Sequence, residues 1–210
     1  MRTRLATVVG GAGVALVLTA CFAESGPEVT PSHSASAEAT SPEPSPAPEE
    51  TVPSTGTREA PLAIGESRRL SDESAWTVQL NASNPDGAAV VAAENEYLPG
   101  PVPGEAFLIG NFSVTVDADA LAGQGIDLAN EGAAAWAHVW FEYVAADGTS
   151  FDVTSGTMCF TNGALYNAGT LYADGTSTGD VCIAVPVDKL PGGLWRVANI
   201  QNDNVWISPE

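Results

Sequence analysis

The stretch "WAHVWFEYV", residues 136 to 144, holds the densest group of side chains able to do chemistry. If it is a strand, alternate side chains point to opposite faces. Trp136, His138, Trp140 and Glu142 then share one face, and Ala137, Val139, Phe141 and Tyr143 share the other. The second set has the character of a core face. Two tryptophans flanking a histidine on the outer face are costly to leave in water without a reason. Trp136, His138 and Trp140 therefore form a candidate binding patch for sugar rings or a partner protein. The competing arrangement has neighbouring loops, or Trp195 and Trp206, covering them.

His138 and Glu142 are residue types suited to proton transfer, but no nucleophile motif accompanies them. The one GxSxG match, "GTSTG" at residues 175 to 179, sits at the start of a β-rich run, and the chain has no SxxK and no cysteine beside a second histidine. A strand histidine of this kind reads as hydrogen-bonded packing, so no catalytic residue is assigned and the chain is not read as an enzyme. Asp117, Asp119 and Asp127, in "VDADALAGQGID", raise the question of calcium. An EF-hand loop requires a third ligand at position 5 and a bidentate glutamate at position 12, which the stretch lacks. It reads as a solvated acidic loop. Glu94 and Glu96 read as outward positions of a strand, and no glycine-rich phosphate loop is present. No metal or cofactor is expected.

The elements that must carry these residues are short. Over residues 59 to 210, helical periodicity is nearly absent, and β-rich runs alternate with Gly, Asn, Asp and Pro breakers. Strands are expected at "WTVQL" (76 to 80), "AAVVAAENEY" (88 to 97), "AFLIGNFSVTVDA" (106 to 118) and "AHVWFEYV" (137 to 144). Further strands are expected at "SFDV", "TMCF", "TLYADG", "TGDVCIAVPV", "GLWRVANI" and "NVWIS". Asp86-Gly87, Asp147-Gly148 and Asp174-Gly175 supply hairpin-type turns. The stretch "DADALAGQGIDLANEG" (117 to 132) could hold a helical turn, but its glycines favour a loop. Many short strands at this spacing, about 150 residues long in all, argue for one all-β sandwich.

The N-terminal region is a different material. Arg2 and Arg4 precede an uncharged apolar run from Leu5 to Thr19. That is shorter than the roughly 20 residues a membrane-spanning helix requires, and the pattern is that of a secretory signal peptide. Residues 18 to 21, "LTAC", resemble the lipobox of bacterial lipoprotein precursors. The resemblance implies cleavage after residue 20 and a diacylglyceryl group on the thiol of Cys21. The protein would then be held by lipid on the extracytoplasmic face of the cell membrane. Each buried methylene contributes about 0.8 kcal/mol, so two or three chains anchor firmly where one does not. Residues 21 to 58 are the lipidated N-terminus and a linker rich in Pro, Ser, Thr, Ala and Glu. Its composition cannot offset the entropy of ordering, and His33 is solvated within it. Such a tether reaches about 115 Å if fully extended and averages nearer 35 Å if flexible.

The chain carries a net charge of -19, which becomes -21 once Arg2 and Arg4 are removed. Phosphate backbones and anionic headgroups are repelled by such a surface, so no nucleic-acid partner is expected and the lipid must do the anchoring. With Cys21 committed to lipid, Cys159 and Cys182 remain as an even pair in an exported protein, where a disulfide is the natural state. Two buried free thiols are the alternative. A zinc site would lack ligands, since His138 is the only histidine after the linker.

Around that pair the chain has a second resemblance. "APLAIGESRRL", "WTVQLNAS", "AENEYLPGPVPGEAFLIGNFSVTV", "VWFEYVAADGTSFD", "CFTNGAL" and "LYADGTSTGDVCIAVPVD" follow one another in order. They resemble an immunoglobulin-like domain of unknown function found on exported proteins of actinobacteria and other Gram-positive bacteria, akin to immunoprotective extracellular antigens. The likeness covers residues 60 to 207 and departs at the C-terminal "GLWRVANIQNDNVWISPE". It implies an immunoglobulin-like antiparallel β-sandwich and brings no catalytic residues. The expected protein is a tethered, non-enzymatic binding or envelope-interaction module. A small-ligand or ion-capturing accessory lipoprotein is the second reading, and a hydrolase with an unrecognised site the third.

Overall fold

A computed structural model describes residues 55–94 and 96–210, all within the unit Glu49–Glu210. Cys21, His33 and the signal-peptide stretch lie outside the described residues. Among the described residues, eight strands form two four-stranded antiparallel sheets. One has the order β1 (Ser67–Arg69), β2 (Trp76–Asn84), β3 (Glu105–Val116), β6 (Gly175–Pro186). The other has the order β5 (Ser150–Asp152), β4 (Val139–Val144), β7 (Leu194–Asn199), β8 (Asn204–Ile207). The second sheet runs in the C′-C-F-G sequence of an immunoglobulin domain. In the first, β3 and β6 occupy the B and E positions and pair directly, as in the constant immunoglobulin plan, with β2 and β1 on the other side of β3.

The core fills the space between the sheets. Trp195 is fully buried there, with its indole edge-on to Phe112 (5.1 Å between centroids) and Tyr143 (5.8 Å). Leu80, Val114, Ile183 and Ile207 complete the layer around them. Strand β3 alternates in its second half but is buried without interruption from Phe107 to Gly110. Its outer face is covered there by a short helix, α1 (Ala88–Glu94), whose Val91 packs on Phe107, Ile109 and Ala184. Both faces of that part of the strand are apolar because both are covered.

Several expected elements take other forms. "AAVVAAENEY" forms α1 rather than a strand, because its alanines are the strongest helix formers and only Val91 needs a buried face. The 117–132 stretch is two short helices, α2 (Ala118–Gly123) and α3 (Leu128–Glu131), rather than an open loop. "TMCF" forms no strand, and of "TLYADG" only Gly175 joins one, as the first residue of β6. Asp147-Gly148 does close a hairpin between β4 and β5, with Gly148 at φ 88° and Ala145 bonded to Thr149. Asp86-Gly87 instead leads into α1, and Asp174 accepts the Ala118 N–H at 2.7 Å. The fold also takes up residues 55–58, which composition places in the linker. Gly56 accepts from the Trp206 N–H at 2.9 Å, and the Arg58 guanidinium lies 5.3 Å over the Trp206 ring.

Candidate functional site

Strand β5 has only three residues and pairs only with Glu142–Val144 of β4. The preceding stretch, Val139–Phe141, therefore has no strand on that side, and a groove of about 360 Å³ opens along it. Its far wall is the loop of residues 153–174, and its floor reaches β6 at Asp180–Cys182. That loop is long but tied at many points. Cys159 and Cys182 form a disulfide with Cα atoms 5.5 Å apart, both nearly buried beside Phe107 and Ile109. Thr157 donates to Glu105 (2.8 Å), and the Asp180 N–H donates to the Gly163 carbonyl (2.8 Å). Leu171 and Ala133 bridge through a pair of backbone bonds, and Asn162 N–H donates to the Glu94 carboxylate on α1.

The two tryptophans meet at this groove. Residues Ala135–His138 form a turn of helix, α4, before β4 begins at Val139. The alternation expected from Trp136 onward therefore fails for its first three residues. Trp136 and Trp140 both line the groove and remain half-exposed, at 51% and 45%, so neither loops nor Trp195 and Trp206 cover them. His138 is turned elsewhere: its ring stacks on Trp76 with centroids 5.2 Å apart. It forms no part of the groove lining and no pair with Glu142. Phe160 and Tyr166, from the 153–174 loop, also line the groove and stand edge to face at 5.6 Å, with Tyr166 half-exposed.

Three carboxylates complete the lining. Glu142 and Asp152 face each other directly across the β4–β5 pair, and Arg196 faces Glu142 from β7. The Arg196 guanidinium donates to Glu142 Oε2 at 2.8 Å, so one of the two carboxylates has its counter-ion. Asp152 Oδ1 accepts from Thr154 Oγ1 (2.7 Å), Thr154 N–H (2.9 Å) and Ser155 Oγ (3.0 Å). These bonds, led by the Thr154 hydroxyl, hold its carboxyl below the usual range. Asp180 is fixed by a polar ladder across the first sheet. Asn81 donates to Asn111 Oδ1 (2.9 Å), Asn111 donates to Asp180 Oδ1 (2.7 Å), and Thr161 donates to Asp180 Oδ2 (3.0 Å). Neither Asp152 nor Asp180 has a lysine or arginine within ion-pair distance among the described residues.

The acidic loop candidates have structural duties. Asp117 caps α2 by accepting from Ala120 N–H (2.9 Å) and pairs with Arg69 (2.6 Å), and Asp127 caps α3 through Asn130 N–H (3.2 Å). Asp119 lies in the first turn of α2. No group of three His, Cys, Asp or Glu residues is placed to hold a metal ion among the described residues. Glu94 and Glu96 lie at and beyond the end of α1, not on a strand.

Sequence reasoning did not find Asp152, Phe160, Tyr166 or Asp180. Only the cysteines pointed toward them: a bridge between Cys159 and Cys182 must bring their neighbours Phe160 and Asp180–Val181 into one place.

No protein-family model matches the chain, and no curated protein matches it. Among solved structures, it is similar to a conserved hypothetical protein from Bacillus anthracis at 11% identity and a TM-score of 0.39, over 70% of this chain and 95% of that one. It is also similar to an uncharacterized β-sandwich protein from Clostridium difficile at 14% identity and a TM-score of 0.37, over 79% of this chain and all of the other. Likeness at this level bears on neither the groove nor the function.

Proposed function

We propose that this protein is a non-enzymatic binding module, held by lipid on Cys21 at the extracytoplasmic face of the membrane, and that the aromatic groove is its binding element. The observation that carries the reading is Trp136 and Trp140, half-exposed in a cavity that Phe160 and Tyr166 also line. Apolar surface of this kind in contact with water marks a place where something else binds. Its concave shape and its volume, at the lower end of the roughly 300–1,000 Å³ typical of small-molecule sites, favour a small ligand over a broad protein face. Both cysteines of the lining are in the disulfide, and its carboxylates are engaged with Arg196, Thr154, Ser155, Asn111 and Thr161. The groove thus offers stacking surfaces and fixed acceptors rather than an activated nucleophile.

The test is affinity capture from a small-molecule extract of the producing cells, read by mass spectrometry. The wild-type protein is expected to retain an organic compound that the Trp136→Ala/Trp140→Ala variant does not. If wild type and variant retain the same set of compounds, the groove is not the binding element.

A further inference from the structure

We infer that the groove selects a cationic ligand with apolar substituents, of the quaternary or alkylated ammonium class. The inference rests on the groove being a binding site, as proposed above, and adds the chemistry of its occupant. The argument is charge complementarity. The lining contains three carboxylates and no lysine, arginine or histidine. Like charges placed directly opposite on paired strands repel each other, yet Glu142 and Asp152 are so placed. Among the described residues, the one guanidinium paired with a lining carboxylate sits on the far side of Glu142 and neutralises that residue alone. Asp152 and Asp180 keep uncompensated charges at the edge of an aromatic cavity, in a protein whose overall charge is already strongly negative.

The aromatic rings supply the second half of the recognition. An ammonium carrying alkyl groups is attracted to the electron-rich faces of Trp and Tyr, and Trp is the strongest partner. Trp136, Trp140 and Tyr166 are the half-exposed rings of the groove. A quaternary ammonium also needs no hydrogen-bond acceptor directed at a specific N–H, so the geometric demand on Asp152 and Asp180 is only proximity. A sugar could stack on the same rings and donate to the same carboxylates but, being neutral, would leave the charges of Asp152 and Asp180 uncompensated. Both threonine hydroxyls of the lining are already donated, Thr154 to Asp152 and Thr161 to Asp180. An anion would meet three carboxylates with one counter-ion between them.

The experiment titrates the protein with choline, with its uncharged isostere 3,3-dimethylbutan-1-ol, and with methyl β-glucoside. The readout is the indole N–H resonances of Trp136 and Trp140, assigned from Trp→Phe variants. Choline is expected to bind about tenfold more tightly than the isostere, the ratio that one cation–aromatic and carboxylate site supports. Asp152→Asn is expected to reduce choline binding and leave the isostere unchanged, with Asp180→Asn as a second variant of the same sign. Equal binding of choline and the isostere would overturn the charge inference and leave the groove as an apolar site. Tighter binding of the glucoside would overturn it in favour of a sugar. If none of the probes moves either indole, the ammonium inference falls, while the proposed function stands or falls on the extract capture.

Discussion

Removing the Cys159–Cys182 bridge, as the Cys159→Ala/Cys182→Ala variant, tests the link between the fold and its groove. The cysteines are 23 positions apart. Closing a loop of that length in the unfolded chain stabilises the native state by about 3.4 kcal/mol in the chain-entropy model. The bridge also lies nearly buried against Val91, Phe107, Ile109 and Ala184, so alanine removes two packed sulfur atoms as well. Lost packing therefore adds to the chain-entropy figure. For a domain of this size, each kcal/mol corresponds to roughly 2–4 °C in Tm, giving a fall of about 7–14 °C. Urea denaturation followed by tryptophan fluorescence is the assay, because Trp195 is fully buried between Phe112 and Tyr143. The variant should shift the midpoint to lower urea and steepen the unfolding slope, because its denatured chain is no longer held compact by the bridge. It should also lose ligand capture, since Phe160, Thr161 and the floor of the groove follow the two cysteines. A stability loss below about 1 kcal/mol would refute the reasoning, because neither loop entropy nor buried packing would then be contributing.

Other outcomes follow from single positions. A Cβ at Gly179 would lie 2.6 Å from Leu165 Cα and 2.8 Å from the Gly163 carbonyl, both backbone atoms that cannot swing aside. Gly179→Ala should cost roughly 1–3 kcal/mol and displace the groove wall, which urea denaturation and ligand capture would both register. Asp117, Asp127, Asp147 and Asp152 all have carboxyls held below their ordinary value of 3.8, by hydrogen bonds led respectively by Ala120, Asn130, Lys189 and Thr154. Groups whose folded pKa is depressed contribute stability above the unfolded value and lose it as pH falls through the folded one. Tm should therefore hold steady down to about pH 4 and then fall toward pH 2, and a flat profile in thermal melts across that acid range would contradict the sign. Lys189 titrates above its ordinary value of 10.5 because Asp147 hydrogen-bonds it, so its contribution persists through neutral pH and is lost only in strong alkali. Cys21→Ser should release the protein into the medium. Continued retention of that variant in the membrane fraction would rule out the lipid anchor.

The strands that carry one buried face were legible because alternation and turn residues mark them: β2, the second half of β3, β4 from Val139, β7 and β8. Helix α1 was not legible as a helix. A seven-residue segment that buries only Val91 shows no 3.6-residue stripe, and its paired valines imitate a strand. The capping role of Asp117 and Asp127 had a recognisable signal, an aspartate before a short apolar run, but the surrounding glycines outweighed it. The site was half visible. Two tryptophans four positions apart on a sheet-forming stretch mark the right place, but His138 does not share their face. One helical turn before the strand, Ala135–His138, resets the alternation there. Of the carboxylates, Glu142 was legible beside the tryptophans, and the other two were not. Asp152 and Asp180 come together only through the short β5 and the disulfide-tied loop, and nothing in their spacing records that closure.

Oxidative footprinting of the tryptophans, with and without the small-molecule extract, measures the central claim most directly. In the free protein Trp136 and Trp140 should be modified readily while Trp195, with no exposed surface, stays intact. With ligand present, protection confined to Trp136 and Trp140 is the predicted result. Unchanged modification of both, or protection centred on Trp206 at the far side of the same sheet, would contradict the account.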